Sequence, residues 1–304
     1  MYPSIVIVPT QGFCNRLRAL VSAHILANHW KTKCYVIWEK EEACNVMMND
    51  VFSCQFETID INIVGKAKHF YSPNTHTNAV LQSDSKLLQF DYLVNQGGHE
   101  FKHPDMSVFS FLQRKHEFYK SLTFSEPINR MVSSVSFENK KVIGIHFRDF
   151  VEKYDKADGY DFTKVSPLDE FVNWIKRIRK TQPDTYFFVS SNTNSILNKL
   201  GDRTDILTLE NEEKRRDSAD GIVHAVSDLL LLSKCQYIIG SISSSFSDEA
   251  CFFNFITKYC LGKKRDSVDV DSASYHCYGF AQLYEKNMLL PNLNILCDMY
   301  KENF

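Results

Sequence analysis

Short apolar runs alternate along this chain with longer stretches in which apolar residues recur every three or four positions. Ser4-Ile5-Val6-Ile7-Val8 is a β-rich run that Pro9-Thr10-Gln11-Gly12 breaks, and between Asn15 and Asn28 the residues Leu17, Leu20, Val21, Ile25 and Leu26 fall at helical spacing. Cys34 to Trp38 then reads as another strand. Strand, glycine-containing turn, helix and strand open a βαβ unit, whose strands run parallel with a right-handed crossover. From Glu39 to Phe137 the pattern is less regular, with a strand expected at Ile59 to Val64 and turn chemistry at Ser72-Pro73-Asn74 and Gly97-Gly98.

A second cycle begins near Lys140. Lys141 to Phe147 is a strand, Tyr154 to Lys164 a polar loop, and Ser166-Pro167-Leu168-Asp169 combines an N-cap hydroxyl, a proline at the first helical position and a carboxylate three residues on. Leu168, Phe171, Val172, Ile175 and Ile178 give the helix that follows one apolar face. Strand at Thr185 to Ser190, helix at Ser195 to Leu200, strand at Ile206 to Leu209, helix at Ile222 to Ser233 and strand at Tyr237 to Gly240 complete a β-α alternation. A further helix runs from Ser247 to Ile256, with Asp248 and Glu249 in its favourable first turn. The tail from Tyr275 to Phe304 is read as a helix able to pack back on the first domain. The class is therefore α/β, with an N-terminal Rossmann-like domain over 1–138, a C-terminal one over 139–304 and a ligand cleft between them.

Composition narrows the function without naming it. With 44% hydrophobic and 13% aromatic residues, the 304-residue chain can bury two cores of ordinary size. Thirty-five basic against thirty-seven acidic residues leave a net charge of -2, which gives no footprint for nucleic acid or an anionic membrane. The first residues lack the basic start and long apolar core of a signal peptide, and no run is long enough to insert in a bilayer. Nine cysteines without a Cys-x-x-Cys, and no Asn-x-Ser/Thr, suit a reducing, cytoplasmic setting with thiols buried as small hydrophobes.

Candidate chemistry sits at two strand ends. Ile143-Gly144-Ile145-His146-Phe147-Arg148-Asp149 carries an apolar run into a guanidinium, a planar donor suited to phosphate oxygens. Ile238-Ile239-Gly240-Ser241-Ile242-Ser243-Ser244-Ser245-Phe246-Ser247 ends in glycine and hydroxyls ahead of a helix N-terminus, where backbone amides receive anions. Together they form two halves of a phosphate or diphosphate cradle. Plainer readings exist for each part. His146 and Arg148 could make an interdomain salt bridge, the serine run could be a turn and cap, and Asp228 could cap its helix or pair with Arg216 or Lys234. Arg16 and Arg18 lie in a helix first turn, where positive charge is unfavourable, which points to an anionic ligand or an acidic partner.

The order Gly12-x-x-Asn15-Arg16-Leu17-x-x-Leu20, then His146-x-Arg148, then Asp228 and Ile239-Gly240-Ser241 with Ser244-Ser245-Phe246-Ser247 resembles the GT-B glycosyltransferases of the fucosyltransferase superfamily. That group includes α-1,6-fucosyltransferases, the nodulation fucosyltransferase and protein O-fucosyltransferases. The resemblance implies two Rossmann-like domains and a nucleotide-sugar donor, GDP-fucose, held mainly by the second domain, with a glycan or glycoprotein acceptor on the first. It implies that Arg148 contacts the diphosphate and assists its departure, and that His146 supports the nucleotide. Ser243, Ser244, Ser245 and Phe246 form the phosphate patch, Asp228 faces the base or sugar, and Gly12, Asn15 and Arg16 lie beneath the sugar. Ser191 and Asn192 stand where some relatives carry acidic nucleotide readers, which leaves the base open. Glu39 and Asp149 are candidate bases toward an acceptor hydroxyl, completing with Arg148 the catalytic set. An inverting, metal-independent transfer is implied, with no cofactor beyond the donor. Asp269-x-Asp271 is read as a solvated loop rather than a metal motif.

Other readings remain. A sulfotransferase or another nucleotide-dependent group transferase would also open on strand, turn and helix, although Thr10 to Arg16 lacks the phosphate-loop lysine. A UDP-xylose-type donor, or a relative that binds nucleotide sugar without turnover, uses the same cradle.

Overall fold

A computed structural model describes residues 1–54, 56–73, 81, 84–152, 161–209, 215–242, 244–261, 275–277 and 282–284. The chain divides into two compact units, one of Met1–Glu126 with Arg216–Val223, the other of Pro127–Arg215 with the residues from His224 on.

The first unit contains a four-stranded parallel sheet of β1 (Ser4–Pro9), β2 (Cys34–Val36), β3 (His69–Pro73) and β4 (Tyr92–Gly97), in the order β2-β1-β4-β3. Helix α1 (Phe13–Trp30) follows β1 and is buried on nearly every side, so the first βαβ unit forms as its periodicity required. The strand expected at Ile59 to Val64 is instead helix α2 (Ile61–Lys66). Asp60 accepts from the Asn62 amide and caps it, a local bond that outweighs the β-branched residues.

The second unit holds a five-stranded parallel sheet of β5 (Lys141–Phe147), β6 (Thr185–Ser191), β7 (Ile206–Leu207), β8 (Tyr237–Ser241) and β9 (Thr257–Leu261), in the order β7-β6-β5-β8-β9. Ile143, Ile145 and Phe147 project to one face, where Phe171, Ile175 and Ile178 of helix α3 (Leu168–Thr181) cover them. On the other face Gly144 lets helix α4 (Ala219–Leu232) approach, since a Cβ there would stand 2.9 Å from Leu232 Cδ2 and 3.3 Å from Cys235 Sγ. Helix α5 (Ser245–Asn254) links β8 to β9.

Two local expectations change. Ser166 does not cap α3; its buried hydroxyl donates to the Leu261 carbonyl at 2.6 Å and accepts from the Ile242 amide at 3.0 Å. A longer-range pair of bonds thus claims the hydroxyl and ties the start of α3 to the ends of β8 and β9. The loop expected at Tyr154 to Lys164 closes with a short helix, Phe162–Val165, capped by Asp161; residues 153–160 lie outside the described residues. In the tail, Tyr275–Cys277 and Gln282–Tyr284 pair as antiparallel strands where a helix was expected. The rest of that stretch, and Asp269 and Asp271, lie outside the described residues.

Candidate functional site

In the second unit the sheet order places a topological switch point between β5 and β8, because the connections leaving these neighbours run to opposite sides. The carboxyl ends of the strands at such a point are the usual ligand position in open parallel sheets. His146 and Gly240 are paired across this ladder, so the two sequence runs singled out above meet at one place.

The groups at the switch point are tightly organised. Ser241 Oγ accepts from the Arg148 amide at 2.9 Å, fixing the turn that leaves β5. The Arg148 side chain is half-buried, with its guanidinium carbon 5.2 Å from the Phe162 ring centroid. His146 is buried, lies 4.9 Å from the Phe246 ring and shares a 3.0 Å hydrogen bond between Nδ1 and Ser247 Oγ. Burial first, and then the Lys258 and Arg148 cations, hold its imidazole well below the ordinary histidine value, so the ring is neutral at pH 7. With Nδ1 engaged by Ser247, Nε2 is the ring nitrogen left for a ligand.

Beneath this layer lies an ion pair with no exposed surface. Lys258 Nζ donates to Asp248 Oδ1 at 2.8 Å and to the Ser244 carbonyl at 3.3 Å. Gly240 makes room for it: a Cβ there would stand 2.8 Å from Ser247 Oγ and 3.0 Å from Lys258 Cε. Ser244 occupies the N-cap of α5 without a side-chain cap bond, and Ser245 and Phe246, half-buried, begin the helix. Amides at such an N-terminus suit phosphate oxygens. Ser243 lies outside the described residues.

At the ends of β5 and β6, several predicted ligand groups are committed to the protein itself. Asn192 Oδ1 accepts from the Asp149 amide at 2.8 Å, and its Nδ2 donates to the Asp149 carbonyl at 3.2 Å. Asp149 Oδ2 accepts from Thr193 Oγ1 at 2.5 Å and Oδ1 from the Phe150 amide at 2.9 Å. Asp149 and Asn192 therefore form a brace between two strand ends. Ser191, buried, accepts from the Thr193 amide at 3.4 Å. Asp228, also buried, accepts from Ser190 Oγ at 2.8 Å, a partner that neither cap nor ion pair anticipated.

In the first unit Gly12 is the N-cap of α1, with φ −65° and ψ 158°. A Cβ there would meet only the Ala43 carbonyl, at 3.9 Å, so neither backbone angle nor packing demands glycine. Asn15 Nδ2 donates to Gln11 Oε1 at 2.6 Å. Arg16 has no exposed surface, and its Nε, Nη1 and Nη2 donate to the Gln11 carbonyl, the Glu39 carbonyl and Glu41 Oε2 at 2.9, 2.6 and 3.0 Å. The acidic partner suggested by its unfavourable helix position is Glu41. Glu39 contributes its carbonyl to that knot while its side chain is exposed.

Sequence reasoning missed Lys258 and Thr193, and gave Ser241 and Ser247, within the hydroxyl run, no role of their own. One signal was present: a lysine within the strand run Thr257-Lys258-Tyr259-Cys260-Leu261.

Parallel α/β units with a polar switch point are doubly wound folds, and comparison with solved structures gives the fold as that of the GT-B fucosyltransferases. The α-1,6-fucosyltransferase NodZ from Bradyrhizobium, crystallised with GDP, superposes with a TM-score of 0.59 at 14% identity, over 86% of this chain and 96% of NodZ. A mutant of Arabidopsis thaliana FUT1 in complex with GDP gives 0.60 at 14% identity, over 92% of this chain and 77% of FUT1. POFUT1 in complex with GDP-fucose gives 0.51 at 11% identity, over 82% and 94%. No protein-family model and no curated protein sequence matches the chain. Among the described residues no helix is long and apolar enough to cross a membrane.

Proposed function

We propose that this protein is a glycosyltransferase that takes fucose from GDP-fucose and passes it, with inversion, to a hydroxyl of a glycan or glycoprotein. The observation that carries the reading is the meeting of Arg148, neutral His146 and the N-terminus of α5 at the β5/β8 switch point. The fold shared with NodZ and POFUT1, which bind GDP or GDP-fucose, supports it.

In this scheme the acceptor oxygen attacks the anomeric carbon from the side opposite the nucleotide. The bond from that carbon to the β-phosphate oxygen breaks, and its electron pair leaves with GDP. Arg148 and the Ser245–Phe246 amides neutralise the charge gathering on the diphosphate, a function that needs no metal. His146, being uncharged, offers Nε2 as a hydrogen-bond group without adding another cation to the pocket. The acceptor proton passes to solvent or to a base; both Asp149 oxygens already accept internal bonds. Nine cysteines without a Cys-x-x-Cys, and no Asn-x-Ser/Thr, support a reducing, cytoplasmic setting for the enzyme.

Calorimetric titration of the protein and of Arg148→Ala with GDP, UDP, GDP-fucose and UDP-xylose tests the proposal. Binding of GDP and GDP-fucose that the substitution weakens at least tenfold supports it. Preference for UDP moves the donor to another sugar, binding without transfer or hydrolysis makes the protein a nucleotide-sugar binder, and absence of all nucleotide binding refutes the reading.

A further inference from the structure

A lysine and an aspartate without exposed surface require a reason beyond stability, because replacing such a pair with apolar side chains is often neutral or favourable. Lys258 and Asp248 lie directly behind the predicted anion site. The internal bonds of the first turn of α5 are long: the Asp248 amide and Ser247 Oγ each reach the Ser244 carbonyl at 3.4 Å. The ammonium of Lys258 approaches the same carbonyl at 3.3 Å while gripping Asp248, one turn on, at 2.8 Å. It therefore fastens both ends of that turn to β9. Its stem also packs beside Gly240 and Ser247, the residue that holds His146.

We propose that Lys258 is a positioning residue for the anion-binding turn: its buried ammonium, tied to Asp248 and the Ser244 carbonyl, aims the Ser245 and Phe246 amides outward and sets Ser247 to orient His146. The inference deepens the nucleotide-sugar reading and rests on it for the identity of the anion. The charged groups around His146 are Arg148 on its own strand, Lys258 on β9 and Asp248 and Glu249 on α5. Asp228 also reaches the neighbouring strand through Ser190. Of these, the two cations act with burial against protonation of the ring, so Lys258 has a spectroscopic signature as well as a geometric role.

The test uses Lys258→Met and, because the single change strands a buried carboxylate, the double variant Lys258→Met/Asp248→Asn. Melting temperature, GDP and pyrophosphate affinity, and the His146 titration followed by NMR in ligand-free protein are measured for each. The proposal expects the double variant to recover most of the melting temperature lost in the single one. It expects GDP binding to stay at least tenfold weaker than wild type and His146 to titrate closer to the ordinary histidine value in both. A folded variant with wild-type affinity and an unmoved His146 titration overturns it. If wild-type protein binds pyrophosphate but not GDP, and pyrophosphate binding falls in the variants, the turn keeps its role and the nucleotide reading fails. If neither anion binds the wild type, the positioning role fails too.

Discussion

Gly240 stands opposite His146 in the parallel ladder of β5 and β8, and the space where its Cβ would be is taken by Ser247, the residue that holds the imidazole. The missing side chain on one strand thus permits the hydrogen bond on the next. Gly240→Ala forces a shift in Ser247 or Lys258, with a destabilisation of about 1–3 kcal/mol of the kind overpacked cores show. Gly12→Ala is the informative comparison, since its Cβ would find open space at an ordinary φ. It leaves the melting temperature unchanged or slightly raised. If donor binds against that turn, it lowers GDP-fucose affinity all the same. Thermal melts and calorimetry on the two variants separate a glycine kept for packing from one kept for a ligand.

Arg148 is half-buried, with its backbone fixed by Ser241 and its guanidinium over Phe162. Removing the side chain deletes a charge-assisted, potentially two-pronged contact to phosphate. Arg148→Ala should therefore weaken GDP binding by about 1.5–3 kcal/mol, roughly ten- to a hundredfold. Arg148→Lys keeps the charge but loses the planar fork, so most of the loss should remain. Unchanged GDP affinity in Arg148→Lys would show that only charge matters there.

Arg16 gives the opposite expectation from the one its motif suggests. Its three nitrogens close the β1–α1 turn onto the Glu39 carbonyl and Glu41, and the guanidinium lies 4.8 Å from the Trp38 ring centroid. Arg16→Ala should destabilise the first unit by about 3 kcal/mol, less than a wholly buried pair because Glu41 keeps some exposure. Denaturant melts are the measurement. A variant of wild-type stability that has lost donor binding would return Arg16 to the ligand.

The contrast between Arg16 and Arg148 marks what could be read from sequence. Both were candidates by type and position, because strand-to-helix junctions in parallel sheets are common ligand positions. Their fates differ through residues 23–101 positions away: Glu39 and Glu41 claim Arg16, whereas Ser247 reaches His146 beside Arg148. β5 and the Ser195–Leu200 helix matched their expected bounds, since local periodicity determines both. Ser166 was misread, and the bonds of Asn192 went unread, for one reason. Each carries a polar group whose local role is easily named, yet each bonds across the sheet end instead, to Leu261 and Ile242 or to Asp149. Lys258 offered only its place in a strand run, since its partner Asp248 lies on the preceding helix and meets it only in the fold.

Acid should weaken the fold through a buried histidine. His24 is packed between Phe56 and Phe118, at ring separations of 5.5 and 5.1 Å, and its buried Nε2 has no hydrogen-bond partner. Burial pushes its imidazole down from 6.5 to about 4. A base whose folded value is lowered contributes stability that is complete above the unfolded value and is lost as pH falls through the window between the two. His24 should therefore cost stability from pH 6.5 downward, at a limiting slope of about 1.4 kcal/mol per pH unit, with His146 adding its own share. Asp161, held low first by the Thr163 hydroxyl, loses its contribution only below the ordinary carboxylate range, so pH 6.5 to 5 isolates the histidines. Denaturant unfolding across that interval should show stability falling with acid and a shallower slope in His24→Phe, which fills a similar shape without a proton site. Equal slopes in the two proteins would mean that His24 reaches water in the folded state.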